Sequence, residues 1–254
     1  MSNPIVSSCE QFLSGNKLGM RIYEEFVTIS DKLEKAQIQN TIVIFGSARI
    51  ERNGQNQKTN AYYEAAYSLS KKLALWAKAN SSVHSPEKKY YICTGGGGGI
   101  MEAANKGASD AGEPTIGFNI LLPHEQKANA FISKDLLFNF DFFFIRKFYF
   151  AYLAKAFVIF PGGFGTLDEL FEIITLAQTQ KMQKTVPIVV IGKEFYENIM
   201  SIPTLVENNL VSQSDKALFL ITDNLEEAFD FITANIDSNR LFIDCDSQAK
   251  EKVA

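Results

Sequence analysis

Twice in this chain a short apolar run ends in a cluster of glycines that opens directly into a helical segment. No other feature restricts the fold as much. Ala156-Phe157-Val158-Ile159-Phe160 leads into Pro161-Gly162-Gly163-Phe164-Gly165-Thr166-Leu167-Asp168-Glu169, with a helix predicted over residues 167–179. Tyr90-Tyr91-Ile92-Cys93-Thr94 leads into Gly95 to Gly99, with a helix predicted over residues 100–108. Strand, tight glycine turn and helix form the repeating unit of a parallel sheet wrapped by helices. Glycine lets backbone N–H groups approach a ligand closely, and a helix start adds unpaired donors and a positive dipole end. Both turns are therefore read as ligand cradles rather than linkers, the 161–169 turn for phosphate. Glu169 follows one turn into its helix, which sets a carboxylate beside an anion site.

The rest of the chain continues the alternation. Leu18, Ile22, Phe26, Ile29 and Leu33 step at helical spacing. Further strands are predicted at residues 41–45, 114–118, 136–140, 186–191 and 217–221, and further helices at 61–79, 142–154, 194–208 and 225–234. Polar loops take 51–60, 81–89 and 119–133. The expected fold is α/β: a Rossmann-like, three-layer parallel sheet flanked by helices. An N-terminal helical extension (1–40) precedes the main domain (41–236), and a polar tail (237–254) follows. Ligands of such sheets bind beyond the carboxyl ends of the strands, at the switch point. Gly46-Ser47, the Gly95 to Gly99 turn, the 119–129 loop and the 161–169 turn are expected to meet there.

Several chemistries are not supported. G-x-G-x-x-G fails because Glu102 stands where a glycine is required, and G-x-x-x-x-G-K-[ST] and G-x-S-x-G are absent. A net charge of -4 argues against a nucleic-acid or membrane-binding surface. The most apolar stretch, 136–160, is interrupted by Asn139, Asp141, Arg146, Lys147 and Lys155, so it does not read as a membrane span. Cys9, Cys93 and Cys245 are far apart and form no C-x-x-C pair, which suits a reducing cytoplasm and implies neither a disulfide framework nor zinc. No secretory signal is read at the N-terminus.

Individual residues have competing readings. Thr166-x-x-Glu169 matches a capping box. The adjacent glycines keep space for a ligand there, and the two roles can coexist. Arg146-Lys147 lies inside an aromatic run, 142–150, where an arginine needs an anionic partner because unpaired buried charge is costly. Taken alone, Thr175 would be packing, Glu125 a solvated loop carboxylate, and His84 and His124 ordinary loop residues.

The 161–169 run resembles the P-G-G-x-G-T-x-x-E motif of the LOG family, the cytokinin riboside 5′-monophosphate phosphoribohydrolases often mislabelled lysine decarboxylases. Arg146-Lys147 resembles the family's R-K pair. Phe45-Gly46-Ser47-Ala48-Arg49, residues 94–105, Leu122-Pro123-His124-Glu125-Gln126 and Leu176-Ala177-Gln178 also match. The resemblance spans about residues 41–192 and is nearest to the longer bacterial branch. The chain departs from that branch at Gly98, where a proline is usual, at Ala130 after Asn129, and at Phe148-Tyr149-Phe150 after the R-K pair.

The resemblance implies hydrolysis of the N-glycosidic bond of a nucleoside 5′-monophosphate, with Arg146 and Glu169 catalytic. It places the substrate on Gly163, Phe164, Gly165, Thr166, Leu167 and Asp168, with Glu125, Lys147, Thr175, Ser47 and the Gly95, Gly96 and Gly97 turn around it. It implies no metal or organic cofactor, a small-molecule nucleotide as partner, and a homodimer or larger homo-oligomer. Lysine decarboxylation would require pyridoxal phosphate on a lysine, and Lys147 is the nearby candidate. A rival reading is a non-catalytic nucleotide or molybdenum-cofactor carrier.

Overall fold

The computed structural model describes residues 17–54, 56–81, 89–122, 127–182 and 186–236. Strands β1 (Asn40–Phe45), β2 (Tyr90–Thr94), β3 (Thr115–Ile120), β4 (Leu137–Phe140), β5 (Ala154–Ile159), β6 (Ile188–Ile191) and β7 (Leu220–Thr222) form one sheet in the order 4-3-2-1-5-6-7. Every pairing is parallel. The chain builds outward from β1 to β4, then returns to the centre and builds the other way from β5. The switch therefore falls between β1 and β5, whose register ends with Phe45 opposite Ile159. A crevice opens at that point because the following loops diverge to opposite sides.

Alternate residues of each central strand feed two cores. Val43 and Phe45 join one cluster with Ile29 and Leu33 of α1 (Lys17–Lys35), Tyr149 and Phe150 of α4 (Phe143–Leu153), and Leu170 of α5 (Phe164–Gln178). Ile42 and Ile44 join the other, with Leu69 and Leu73 of α2 (Gln57–Asn80), Ala103 and Ala104 of α3 (Ile100–Asp110), and Ile232 of α8 (Leu225–Asn235). Helices on both faces explain why these strands are apolar throughout rather than alternating. The three-layer arrangement expected from the sequence is the one found.

Boundaries move where local chemistry decides them. The α5 helix starts at Phe164, three residues before the expected position. The segment expected to be helical over 194–208 divides into α6 (Lys193–Ile199) and α7 (Ile202–Glu207), because Pro203 sits in the first turn of α7 and cannot continue an earlier helix. The last strand begins at Leu220, since residues 213–218 form a 3-10 turn closed by a Ser212–Asp215 capping box. Glu125, His124, His84 and the tail 237–254 lie outside the described residues.

The α1 helix bears on the site through α4. The Glu25 carboxylate accepts the backbone N–H groups of Asp141 (2.9 Å) and Phe142 (3.3 Å), so it caps α4 from another helix. Tyr149 Oη donates to the Phe26 carbonyl at 2.8 Å. These contacts fix the helix that carries Arg146.

Candidate active site

Three loops at the switch point are bonded to one another. Ser47 N–H donates to the Pro161 carbonyl, and Ile100 N–H donates to the Ser47 carbonyl, both at 3.0 Å. The approach demands glycine. Gly99 has φ 65°, and a Cβ there would lie 2.3 Å from the Ser47 carbonyl oxygen. The fourth loop is tied in by a buried polar network that sequence reasoning missed. Asn129 N–H donates to the Gly96 carbonyl at 2.9 Å, and its Nδ2 donates to the Gly97 carbonyl (2.9 Å) and to Asn105 Oδ1 (2.8 Å). Thr94 Oγ1 donates to the same Asn105 oxygen at 2.7 Å. Two asparagines thus stiffen the Gly95 to Gly99 turn. The available signal was a polar Asn105 among the alanines and glycine of α3.

The start of α5 differs from the capping-box reading. Gly163 is the N-cap and no side chain caps the helix. Thr166 sits inside the first turn, buried against Gly162, where an added Cβ would lie 2.2 Å from Thr166 Oγ1. A helix that begins on glycine has no cap side chain to occupy its first N–H groups, and Thr166 is too far into the helix to serve. Nothing lies within 4 Å of a Cβ built on Gly163 or Gly165, so both face open space.

Glu169 turns to Arg146. Arg146 Nη2 lies 3.1 Å from Glu169 Oε1, with the two side chains 11% and 13% exposed. Phe143 and Phe150 lie 5.2 and 5.7 Å from the guanidinium carbon, within cation–π range. Burial raises the Glu169 carboxyl to about 7, while the Arg146 charge pulls it the other way. Burial lowers Arg146, which nonetheless stays charged. Lys147 points elsewhere: its Nζ lies 2.9 Å from Asp168 and 3.0 Å from Glu172. Burial pulls Lys147 down, but the bonds to the two carboxylates leave it raised.

A crevice of about 590 Å³ joins these parts, within the size range of small-molecule sites. Of the residues singled out from the sequence, Ser47, Gly95, the stretch 163–167, Arg146 and Glu169 line it. Gly96, Gly97, Lys147, Asp168 and Thr175 do not. Gly96 and Gly97 hold Asn129, and Lys147 and Asp168 bridge α4 to α5. Thr175 is exposed, with its hydroxyl donating to the Phe171 carbonyl. Arg49, Met101 and Phe143 line the crevice without having been singled out for it. Among the described residues, no group of three His, Cys, Asp or Glu side chains is placed to hold a metal ion.

Comparison with known proteins finds relatives in both sequence and fold. The sequence profile of the family described as "Possible lysine decarboxylase" matches residues 101–232, more than half of the chain. A rice protein (Oryza sativa subsp. japonica) named "Probable cytokinin riboside 5'-monophosphate phosphoribohydrolase" is 30% identical over 142 residues, covering 55% of this chain and 60% of its own length. A cytokinin riboside 5'-monophosphate phosphoribohydrolase of Arabidopsis thaliana is 25% identical over 202 residues, covering 78% of this chain and 83% of its own. In fold, the chain is similar to the X-ray structure of a structural-genomics target (TM-score 0.53, 20% identity, 77% of this chain and 99% of that one). It is also similar in fold to the molybdenum cofactor carrier protein of Chlamydomonas reinhardtii (TM-score 0.51, 20% identity, 78% and 99%).

Proposed function

The chain belongs to the LOG family, and on that premise we propose that it hydrolyses the N-glycosidic bond of a nucleoside 5′-monophosphate with adenine or an N6-modified adenine, giving the free base and ribose 5-phosphate. The observation that carries this reading is a buried carboxyl, Glu169, held by Arg146 beside a helix start with no side-chain cap. Cleaving this bond builds oxocarbenium-like positive charge on the ribose, which a carboxylate stabilises. A carboxyl raised to about 7 is also matched to accepting a proton from water at neutral pH. Backbone N–H groups at residues 163–166 would hold the 5′-phosphate, and binding at that remote group would set the ribose against Glu169. Arg146 orients Glu169 and presents its charge towards the departing base. Under this reading Lys147 positions rather than reacts, because its bridge to Asp168 and Glu172 sets α4 against α5. The resemblance also implies contacts from Glu125, which lies outside the described residues, and from Thr175, which does not line this crevice.

A Schiff-base lysine needs a neutral amine at the moment of attack. Lys147, protonated between two carboxylates, is poorly suited to that role, which disfavours lysine decarboxylation. Exposed Phe143, Phe144 and Tyr152 on α4, with Phe164 and Phe171 on α5, offer an aromatic surface for a second copy, and a homodimer is part of the proposal. Among the described residues, no helix is long and apolar enough to cross a membrane, and a cytoplasmic setting is proposed with the rest.

The test is release of free base from AMP and from N6-isopentenyl-AMP, followed by chromatography, for the wild type and Glu169→Ala. Release that disappears in the variant is expected. Tight nucleotide binding with no release by the wild type would replace the hydrolase with a carrier.

A further inference from the structure

Among the described residues two cations line the crevice, Arg49 and Arg146, and they are in different electrostatic states. Arg146 is matched by Glu169, and nearby Lys147 is matched twice over. The backbone N–H of Arg49 donates to Ser47 Oγ at 3.1 Å, while its guanidinium forms no hydrogen bond or ion pair among the described residues. Arg49 also borders a second cavity, of about 470 Å³, that contains Glu194, and it forms no ion pair there. In the same crevice Arg146, nine-tenths buried, keeps Nε without a hydrogen-bond partner among the described residues. A phosphate monoester carries about 1.5 to 2 negative charges at pH 7. The start of a helix supplies roughly half a positive charge, and an ionised Glu169 offsets the Arg146 charge across their 3.1 Å contact. Arg49 is the lining cation with no carboxylate against it among the described residues.

We infer that Arg49 binds the phosphate monoester of the substrate, reaching it from the β1 loop while the N–H groups of α5 hold its other side. The inference rests on the reading of the α5 start as a phosphate cradle. The Ser47–Pro161 hydrogen bond ties the backbones of the two loops together, so the exposed Arg49 side chain starts from a loop held beside the helix start, and both line one crevice. A planar guanidinium can bond two phosphate oxygens at once, a geometry that lysine does not reproduce.

Calorimetric titration of the full chain with ribose 5-phosphate, together with AMP kinetics, tests this on wild type, Arg49→Ala, Arg49→Lys and Arg52→Ala. Arg52 is exposed, pairs with Glu64 and removes the same formal charge, so it serves as the control. Arg49→Ala should weaken ribose 5-phosphate about ten- to a hundredfold and lower kcat/KM for AMP by a similar factor. Arg49→Lys should recover only part of the loss, and Arg52→Ala should bind as the wild type does. Unchanged binding by Arg49→Ala, or an equal loss in Arg52→Ala, overturns the inference. Should the wild type bind ribose 5-phosphate through Arg49 yet release no base, the phosphate contact stands and the hydrolase reading falls. No binding by the wild type removes both.

Discussion

The Glu169 carboxyl makes a prediction about stability that is independent of any substrate. Its protonation midpoint is raised by burial from 4.5 to about 7 in the folded chain. A shift of that size corresponds to about 3 kcal/mol of differential interaction between the two protonation states. The sign follows from linkage: between these two values the unfolded chain has lost this proton and the folded chain keeps it. The group's contribution to stability is therefore fully present below about pH 4.5 and is lost as pH rises through about 7. Glu169→Gln keeps the shape and an acceptor oxygen for Arg146 but never ionises. The stability difference between Glu169→Gln and wild type should accordingly move in favour of the variant by about 2–3 kcal/mol from pH 5 to pH 8. For a chain of this size that is roughly 5–10 °C in Tm. Urea and thermal unfolding of both proteins across that range, compared as a difference at each pH, cancels the other titrating groups. A flat difference would refute the argument from burial, and a slope of opposite sign would show that Arg146 outweighs burial and depresses the carboxyl.

Three further outcomes are expected. If Glu169 acts as the base, kcat/KM falls on the acid side with a midpoint near 7, and Arg146→Gln moves that midpoint upward by removing the charge that pulls Glu169 down. A midpoint near 6 that ignores the substitution belongs to the second ionisation of the substrate phosphate instead. Gly162→Ala should cost about 1–3 kcal/mol, since its Cβ would overlap Thr166, whereas Gly163→Ala should leave the urea midpoint unchanged and weaken AMP binding; equal effects in the two variants would contradict the division of roles. Asn129→Ala removes the side-chain donor from the Gly97 carbonyl and Asn105 Oδ1, so a loss of about 2 kcal/mol and faster amide exchange at residues 95–99 are expected.

What was legible in the sequence was whatever depends on local pattern. An apolar run, glycines and a helical segment specify strand, turn and helix within a few residues, and parallel topology then places the turns at one end of the sheet. The need of Arg146 for an anionic partner could be argued from its aromatic neighbours alone. Pairing across the fold was not legible. Lys147 meets Asp168 and Glu172 only because α4 and α5 pack against each other, and Asn129 meets Asn105 only because β3 and its following loop return to the glycine turn. The capping box misled because a short motif does not report which residue begins the helix. The unmatched charge of Arg49 is likewise a property of the assembled crevice, since it depends on where every other charge has gone.

The ion pairs also explain why adjacent residues have separate tasks. On a helix, neighbours in sequence point about 100° apart, while residues four apart share a face. Arg146 therefore faces the crevice and Lys147 does not, and Asp168 and Glu172 share the outer face of α5 while Glu169 points inward. A slip of α5 by one residue would move the buried carboxyl off its arginine and leave Lys147 facing the wrong side of the helix. The register of α5 is set where it begins, by Thr166 packed into the space left by the missing Cβ of Gly162. That glycine touches no reacting group in the proposed mechanism, yet the place of the carboxylate depends on it. A bulkier residue at 162 should therefore disturb the Arg146–Glu169 pair as well as the fold, and the pH dependence of stability expected from Glu169 should weaken along with it.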